Sequence, residues 1–180
     1  MNIFKEFKPA LFFLLKFLGI YFGLNLLYGL FVESYGNGAD PITVWVADQS
    51  VWFLQLLGEP VKASLNDSLP TVLIQKGTRS CLSVYEGCNG INIMVLFTAF
   101  IIAFKGSYKK VLWFIPLGLF LIHAANIFRI VMLYYIAEYH PDLMYFTHKY
   151  LFTAIIYIAI FILWYFWVTK VNAKPKGQYA

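Results

Sequence analysis

Charged residues are scarce in this sequence. Of its 180 residues only 13% are charged, whereas 61% are hydrophobic and 20% are aromatic. So little polar surface cannot cover a domain that faces water on all sides, which excludes a soluble enzyme, a nucleic-acid binder and a disordered chain. Metal-binding patterns are missing too, since there is no HExxH, no CxxC and no paired carboxylate near the histidines. The composition predicts a membrane protein that needs no metal or other cofactor.

Long apolar runs mark the predicted membrane spans. They cover about 10–32, 90–104, 111–137 and 150–168, and each is near the ~20 residues that cross a bilayer as a helix. The first run is too long for the apolar part of a signal peptide and is followed by no small-residue cleavage site, so we predict an uncleaved anchor. No Asp or Glu lies within the spans, which argues against a proton-relaying transporter.

The distribution of charge predicts the topology. The segment 33–89 holds six acidic residues against three basic ones, and the stretch Glu138–Lys149, which we predict to be a loop, is also acidic. The basic residues at the N-terminus, after the second span and in the C-terminal tail are Lys5, Lys8, Lys105, Lys109, Lys110, Lys170, Lys174 and Lys176. By the positive-inside rule both termini are cytoplasmic. We predict an all-α integral membrane protein with four transmembrane helices, in which 1–170 is a single membrane domain and 171–180 a flexible cytoplasmic tail.

A small extracytoplasmic cap is predicted between the first two spans. The segment 33–89 is too polar to cross the bilayer and too long for a bare loop. Polar residues interrupt the apolar run Ile42–Leu57, and its two tryptophans suit an interface, so we predict an amphipathic helix on the outer leaflet. Thr71–Gln75 and Cys81–Tyr85 flank a short turn that contains a glycine, which predicts a β-hairpin.

Cys88 is the candidate nucleophile. Gly87 and Gly90 flank it at a predicted strand-to-helix turn, where glycine permits a sharp change of direction. A thiol at a helix N-terminus also has its thiolate favoured by unpaired backbone N–H groups, so we expect an exposed, acidified thiol. Two other roles stay open, a small buried apolar residue and a disulfide with Cys81 in the same outward compartment.

Arg129 lies inside the third span, where an ionisable residue is costly and by default functional. Counted from Val111, 18 residues at 1.5 Å each place it roughly 27 Å across a core of about 30 Å, at the outer interface. A snorkelling arginine that touches lipid phosphate is the alternative. Asn126 lies one turn earlier on the same helix face.

His148 precedes the fourth span and enters the membrane from outside, at the level of Cys88 and Arg129. The other two histidines, His123 and His140, are expected to be satisfied interface or loop residues. A thiolate attacks carbonyl carbon, an imidazole moves protons near neutral pH, and a guanidinium stabilises an oxyanion. Together these groups predict acyl transfer.

Three short motifs in chain order also carry a family resemblance. They are Cys88-Asn89-Gly90-Ile91, Asn126-Ile127-Phe128-Arg129 and His148 before the last span. They resemble the Cys-Ser-Gly-Ile, Asn-x-x-Arg and His of the exosortase/archaeosortase family of membrane cysteine transpeptidases, with Asn in place of the usual Ser. The chain looks most like the short F-type exosortases, and the resemblance runs from about Val44 to Trp167.

The resemblance implies an enzyme of the bacterial inner (cytoplasmic) membrane whose active site faces the extracytoplasmic side. Its partners would be membrane lipid, exported proteins with a C-terminal tripartite sorting signal, and an acceptor nucleophile that these residues do not identify. That signal comprises a short motif, a transmembrane helix and a basic cluster. No nucleic-acid partner is expected.

The predicted site assigns one role to each reactive group. Cys88 is the nucleophile, His148 the general acid/base and Arg129 the stabiliser of the oxyanion. The substrate-binding or supporting residues are Asn89, Gly90 and Asn126. Two other readings stay open: a protease with water as acceptor, and a non-catalytic assembly factor whose cap binds a partner's transmembrane tail. The shared depth of thiol, base and cation favours the enzyme, because a binding factor does not require it.

Overall fold

The computed structural model describes residues 3–104 and 106–171. The helical segments in these ranges are α1 Ile3–Glu33, α2 Pro41–Leu56, α3 Ile91–Ala103, α4 Tyr108–Tyr139 and α5 Pro141–Val171. The strands are β1 Val61–Leu65, β2 Val72–Lys76 and β3 Arg79–Val84. The predicted cytoplasmic tail from 172 onward lies outside the described residues, and so does Lys105.

Three helices of the described chain, α1, α4 and α5, are long and apolar enough to cross a membrane. They correspond to three of the four predicted spans, and the chain is an integral membrane protein. The predicted second span forms α3, whose 13 residues extend only about 20 Å, compared with a hydrocarbon core of about 30 Å. A complete crossing by α3 therefore stays a prediction.

Consecutive long helices run antiparallel. Lys16, early in α1, donates a hydrogen bond from Nζ to the C=O of Ile102 near the end of α3 (2.9 Å). The ring of Phe114, early in α4, packs 5.0 Å from that of Trp167, late in α5. At the other end of the bundle, Asn126 of α4 donates a hydrogen bond to the C=O of Cys88, which precedes α3. The helices α1, α3, α4 and α5 thus alternate in direction.

A close contact between α3 and α4 depends on Gly118. A Cβ added there would lie 2.2 Å from Cζ of Phe97, so a larger residue would displace this fully buried ring. The aromatic and aliphatic residues of this core are Phe97, Ile101, Phe114, Ile122 and Trp167. They hold α3, α4 and α5 together at the end of the bundle away from the sheet.

The segment between α1 and α3 folds as α2 and a three-stranded antiparallel sheet in the order β1-β2-β3. Asp40 caps α2, because its carboxylate accepts the N–H groups of Ile42 and Thr43. Pro41 occupies the first turn, where its missing N–H costs nothing. Gly77, with φ of 64°, makes the two-residue turn between β2 and β3.

The cap, which we define as α2 with this sheet, packs on the second half of α4. The buried residues of the shared core include Val46, Leu54, Val61, Ile74, Val84, Ile130 and Tyr134. At the rim, Glu138 near the end of α4 forms ion pairs with Lys76 (3.5 Å) and Arg79 (3.4 Å) of the hairpin. Because α4 also carries Arg129, this docking fixes the sheet relative to the candidate site.

The structure differs from the sequence-based expectation in two places. The predicted helix and hairpin are present with bounds shifted by one or two residues, but β1 was not predicted, so the chain is mostly helical with a small sheet rather than all-α. The stretch Glu138–Lys149, expected to be a loop, is mostly helical, because Pro141 fits the first turn of α5. His148 therefore lies inside this helix, in a π-type turn at Thr147–Leu151.

Candidate active site

A tight turn between β3 and α3 positions Cys88. The chain makes a 3-10 turn at Glu86–Cys88, in which the N–H of Cys88 donates to the C=O of Tyr85 (2.8 Å). Gly90 follows with φ of 86°, a left-handed conformation that other residues rarely adopt. A Cβ there would also lie 3.1 Å from Cγ of Asn126. The glycine thus permits both the sharp turn and the close approach of α4.

The side chains of Cys88 and His148 meet across this turn. The distance from Cys88 Sγ to His148 Nε2 is 3.7 Å, a contact through which a proton can pass. Arg129, from α4, lies close enough for its charge to act on the thiol, and it lines the same cleft as His148. Three separate elements therefore bring together the thiol, imidazole and guanidinium that the sequence placed at one depth.

A cleft of about 360 Å³ opens beside these groups. Arg129 and His148 line its polar part, and Ile93 of α3 and Ile156 of α5 line its apolar part. Nε of Arg129 is buried and has no hydrogen-bond partner within the described part of the chain. A buried donor without a partner is costly, so the Arg129 side chain, which lines the cleft, is stabilised if a ligand bound there accepts a hydrogen bond from it.

The thiol of Cys88 is buried, with 6% of the residue exposed, and the expectation of an exposed, acidified thiol is wrong. Burial raises the pKa of Cys88, and this effect outweighs the lowering by the Arg129 charge and by hydrogen bonds from Tyr85. The helix N-terminus begins only at Ile91, three residues later, which weakens its effect on the sulfur. The thiol is protonated at neutral pH, so a base must remove its proton before it can attack.

Asn126 holds the turn at Cys88 from the side of α4. Its Nδ2 donates a hydrogen bond to the C=O of Cys88 (2.9 Å), and the residue is almost fully buried. Asn126 precedes Arg129 by three residues, so one helix face supplies both the contact with the turn and the cation. This geometry gives Asn126 a supporting position.

Asn89 holds the same turn from the opposite side. Its buried side chain donates from Nδ2 to the hydroxyls of Tyr28 in α1 (2.5 Å) and Thr43 in α2 (3.0 Å). Its Oδ1 accepts the N–H of Ile91 at the start of α3 (3.0 Å). Thr43 in turn donates to the carboxylate of Asp40. These contacts support the turn and give Asn89 a position behind Cys88.

Comparison with known proteins places this arrangement in a family. Residues 7–167 match the family of transmembrane exosortases. The chain belongs to this family. Neither a curated protein nor a solved structure matches it significantly. Because the match covers the cap, the turn at Cys88 and the helices that carry Arg129 and His148, the whole candidate site lies within the shared region.

The remaining cysteine and histidines lie outside the cleft. Cys81 is a free thiol 3.7 Å from Glu138 Oε2, and Cys88 is free as well, so the two do not form a disulfide in this structure. His123 lies 2.7 Å from Gln49 Oε1 and stacks on Trp45, a satisfied position between α4 and α2. His140 ends α4. No three potential metal ligands cluster anywhere in the described ranges.

Sequence reasoning missed four polar groups around the turn. Tyr28 and Thr43 were not selected because their contacts with Asn89 join residues 61 and 46 positions apart. Asp40 carries a local signal, since an Asp directly before a Pro is typical of a helix start. Tyr85, which lines the cleft, has no distinguishing pattern in the sequence.

Proposed function

We propose that this protein is a membrane cysteine transpeptidase that cleaves the C-terminal tripartite sorting signal of exported proteins and transfers them to an acceptor. The observation that carries the proposal is the 3.7 Å contact between Cys88 Sγ and His148 Nε2, beside Arg129, in a member of the exosortase family. A thiol, a base and a cation at one cleft are the groups that acyl transfer through sulfur requires.

In the acylation step, His148 takes the proton of the Cys88 thiol at Nε2. The sulfur attacks the scissile carbonyl carbon, and the carbonyl electron pair moves onto oxygen, where the Arg129 guanidinium stabilises the charge. The oxyanion then collapses, the C–N bond breaks, and the leaving amine takes the proton from His148. The C-terminal fragment departs, and the upstream protein stays on Cys88 as a thioester.

In the transfer step, the acceptor gives a proton to His148 and attacks the thioester carbon. The C–S bond breaks, and the sulfur of Cys88 regains a proton from His148. The buried position of the sulfur favours transfer over hydrolysis, because it limits the access of water to the thioester. The acceptor is a nucleophile whose class this cleft does not define.

The proposed topology places the cleft on the extracytoplasmic side of the bacterial inner membrane. We propose that both termini are cytoplasmic and that 33–89 lies outside. The antiparallel helix order supports this, because it puts the start of α1 and the end of α5 at the same end of the bundle. Reporter fusions at Gly106 and Gly177 should both report the cytoplasm, and an outward reporter at either site contradicts the topology.

A cysteine exchange tests the proposed function in cells that express a tagged protein with a sorting signal. Cys88→Ser should abolish processing, because a hydroxyl is a far weaker nucleophile at this position. Cys81→Ser is the matched control and should process normally, since Cys81 lies on the sheet beside Glu138. Normal processing by Cys88→Ser contradicts the proposal and favours the assembly factor that binds a transmembrane tail.

A further inference from the structure

A cavity of about 800 Å³ lies at the end of the bundle away from the cap. Its walls come from α1, from the end of α3 and from the first turns of α4. Most of the residues that line it are apolar, and they include Ile102, Phe104, Val111, Leu112, Ile115 and Pro116. The candidate active site has no part in this cavity, because Arg129 and His148 line the cleft at the opposite end of the bundle.

The shortness of α3 creates the cavity. This helix ends at Ala103, and the backbone becomes extended at Phe104. The hydrogen bond from Lys16 to Ile102 places the end of α3 beside Lys16. Thirteen residues of α1 precede Lys16, which corresponds to about 20 Å of helix. Because α1 and α4 continue past the end of α3, they enclose a space that α3 does not fill.

Lys16 is the charged residue that lines this cavity. An ammonium group on a membrane helix is costly unless a partner compensates its charge. Its Nζ donates to the C=O of Ile102 at 2.9 Å, but an ammonium carries three N–H donors. Among the side chains that the structure describes, no carboxylate forms an ion pair with Lys16. The cavity therefore offers a positive charge and free donors to a ligand.

The charge at this end of the bundle selects an anionic ligand. Lys8 lies early in α1, Lys109 and Lys110 begin α4, and Lys170 lies at the end of α5. The C-terminal segment from 172 is basic as well, so Lys16 repels it. Basic pockets between membrane helices bind anionic lipid headgroups, and apolar walls suit an acyl chain. A phospholipid combines both groups in one molecule.

We propose that this cavity binds one anionic phospholipid. Its phosphate accepts hydrogen bonds from Lys16, and an acyl chain packs along Ile115 and Pro116. Side chains of a helix lean toward its N-terminus, so the ammonium of Lys16 reaches toward the end of the bundle, where lipid phosphates lie. The bound lipid completes the packing between α1 and α4 below α3. This inference is independent of the proposed cysteine chemistry.

Native mass spectrometry of the purified full chain tests the lipid site. The delipidated protein in a neutral detergent is titrated with phosphatidylglycerol or phosphatidylcholine that carry the same acyl chains and differ in net charge. Phosphatidylglycerol should bind more tightly by about fivefold, the factor that one lysine near a membrane surface contributes. Lys16→Gln should remove this preference, whereas Lys16→Arg keeps the charge and should retain it. Thermal melts check that each variant is folded.

Lys109→Gln is the matched control, because Lys109 is exposed at the start of α4 and lies outside the cavity lining. Its affinity for phosphatidylglycerol should stay within about twofold of wild type, since salt screens an exposed charge. A folded Lys16→Gln that keeps the preference overturns the proposal, and so does an equal loss in Lys109→Gln, which would indicate general surface attraction. Equal affinity of the wild-type chain for both lipids also overturns it, and this comparison needs no variant. The assay uses no peptide substrate, so failure of the proposed function is a separate result.

Discussion

Replacement of Arg129 perturbs the proposed chemistry most selectively. Arg129 lines the cleft, and its buried Nε has no hydrogen-bond partner among the residues described, so a hydrogen bond from Nε to an oxyanion would replace no existing one. Removal of one oxyanion donor typically costs about 3–4 kcal/mol, or 10²–10³ in rate. We therefore expect Arg129→Ala to slow acylation by roughly 10²-fold or more. Arg129→Lys keeps the charge but loses the planar fork, so it should recover only part of the rate.

Arg79 provides the matched control, since it is the other arginine of the chain. Its side chain is 64% exposed and pairs with Glu138 at 3.4 Å, an arrangement worth about 0–1 kcal/mol. The acylation rate of Arg79→Ala should therefore stay within about fivefold of the wild-type rate. The assay follows single-turnover formation of truncated substrate by purified variants whose folding is checked by thermal melting. An Arg129→Ala rate within about threefold of wild type would refute the oxyanion role.

Two further predictions concern the surroundings of the site. Asn89→Ala should lower the unfolding free energy by about 1–3 kcal/mol, because the buried Thr43 hydroxyl loses a partner. The control is Asn25→Ala, which removes an amide whose hydrogen bond stays within α1. It should lower the unfolding free energy less, and thermal melts compare the two variants. The pKa of Glu59 is lowered, chiefly by a hydrogen bond from Lys76, so its stabilisation is present above the unfolded carboxyl pKa and is lost as pH falls through the folded pKa. Glu59→Gln should therefore show a smaller loss of melting temperature on acidification below about pH 4.5 than wild type.

The helices that cross the membrane could be predicted because hydropathy is a local property. Their ends were less predictable: the polar residues around His140 indicated a loop, whereas Pro141 starts α5 there. The strand β1 was missed because Lys62, Ala63 and Ser64 have weak strand propensity. Pairing with β2, from Val61 opposite Lys76 to Leu65 opposite Val72, stabilises it instead. Such pairing depends on the tertiary structure.

The candidate site was partly predictable for a similar reason. Span boundaries put Cys88, Arg129 and His148 at one depth, but depth does not determine which way each helix turns its side chain. The 3.7 Å contact with the thiol depends on the π-type turn that carries His148. Burial of the sulfur was also beyond the sequence, because it results from packing by α4 and the cap. A local glycine pattern indicates the turn and not its surroundings.

Intact-mass analysis of the enzyme during turnover tests the central proposal most directly. Purified protein is mixed with a substrate that bears the sorting signal, quenched in acid at short times and analysed with and without hydroxylamine. We predict an adduct on Cys88 with the mass of the substrate upstream of the cleavage site, which hydroxylamine removes because it cleaves thioesters. Cleaved substrate without such an adduct at any quench time, or intact substrate bound to folded enzyme, would contradict the transpeptidase account.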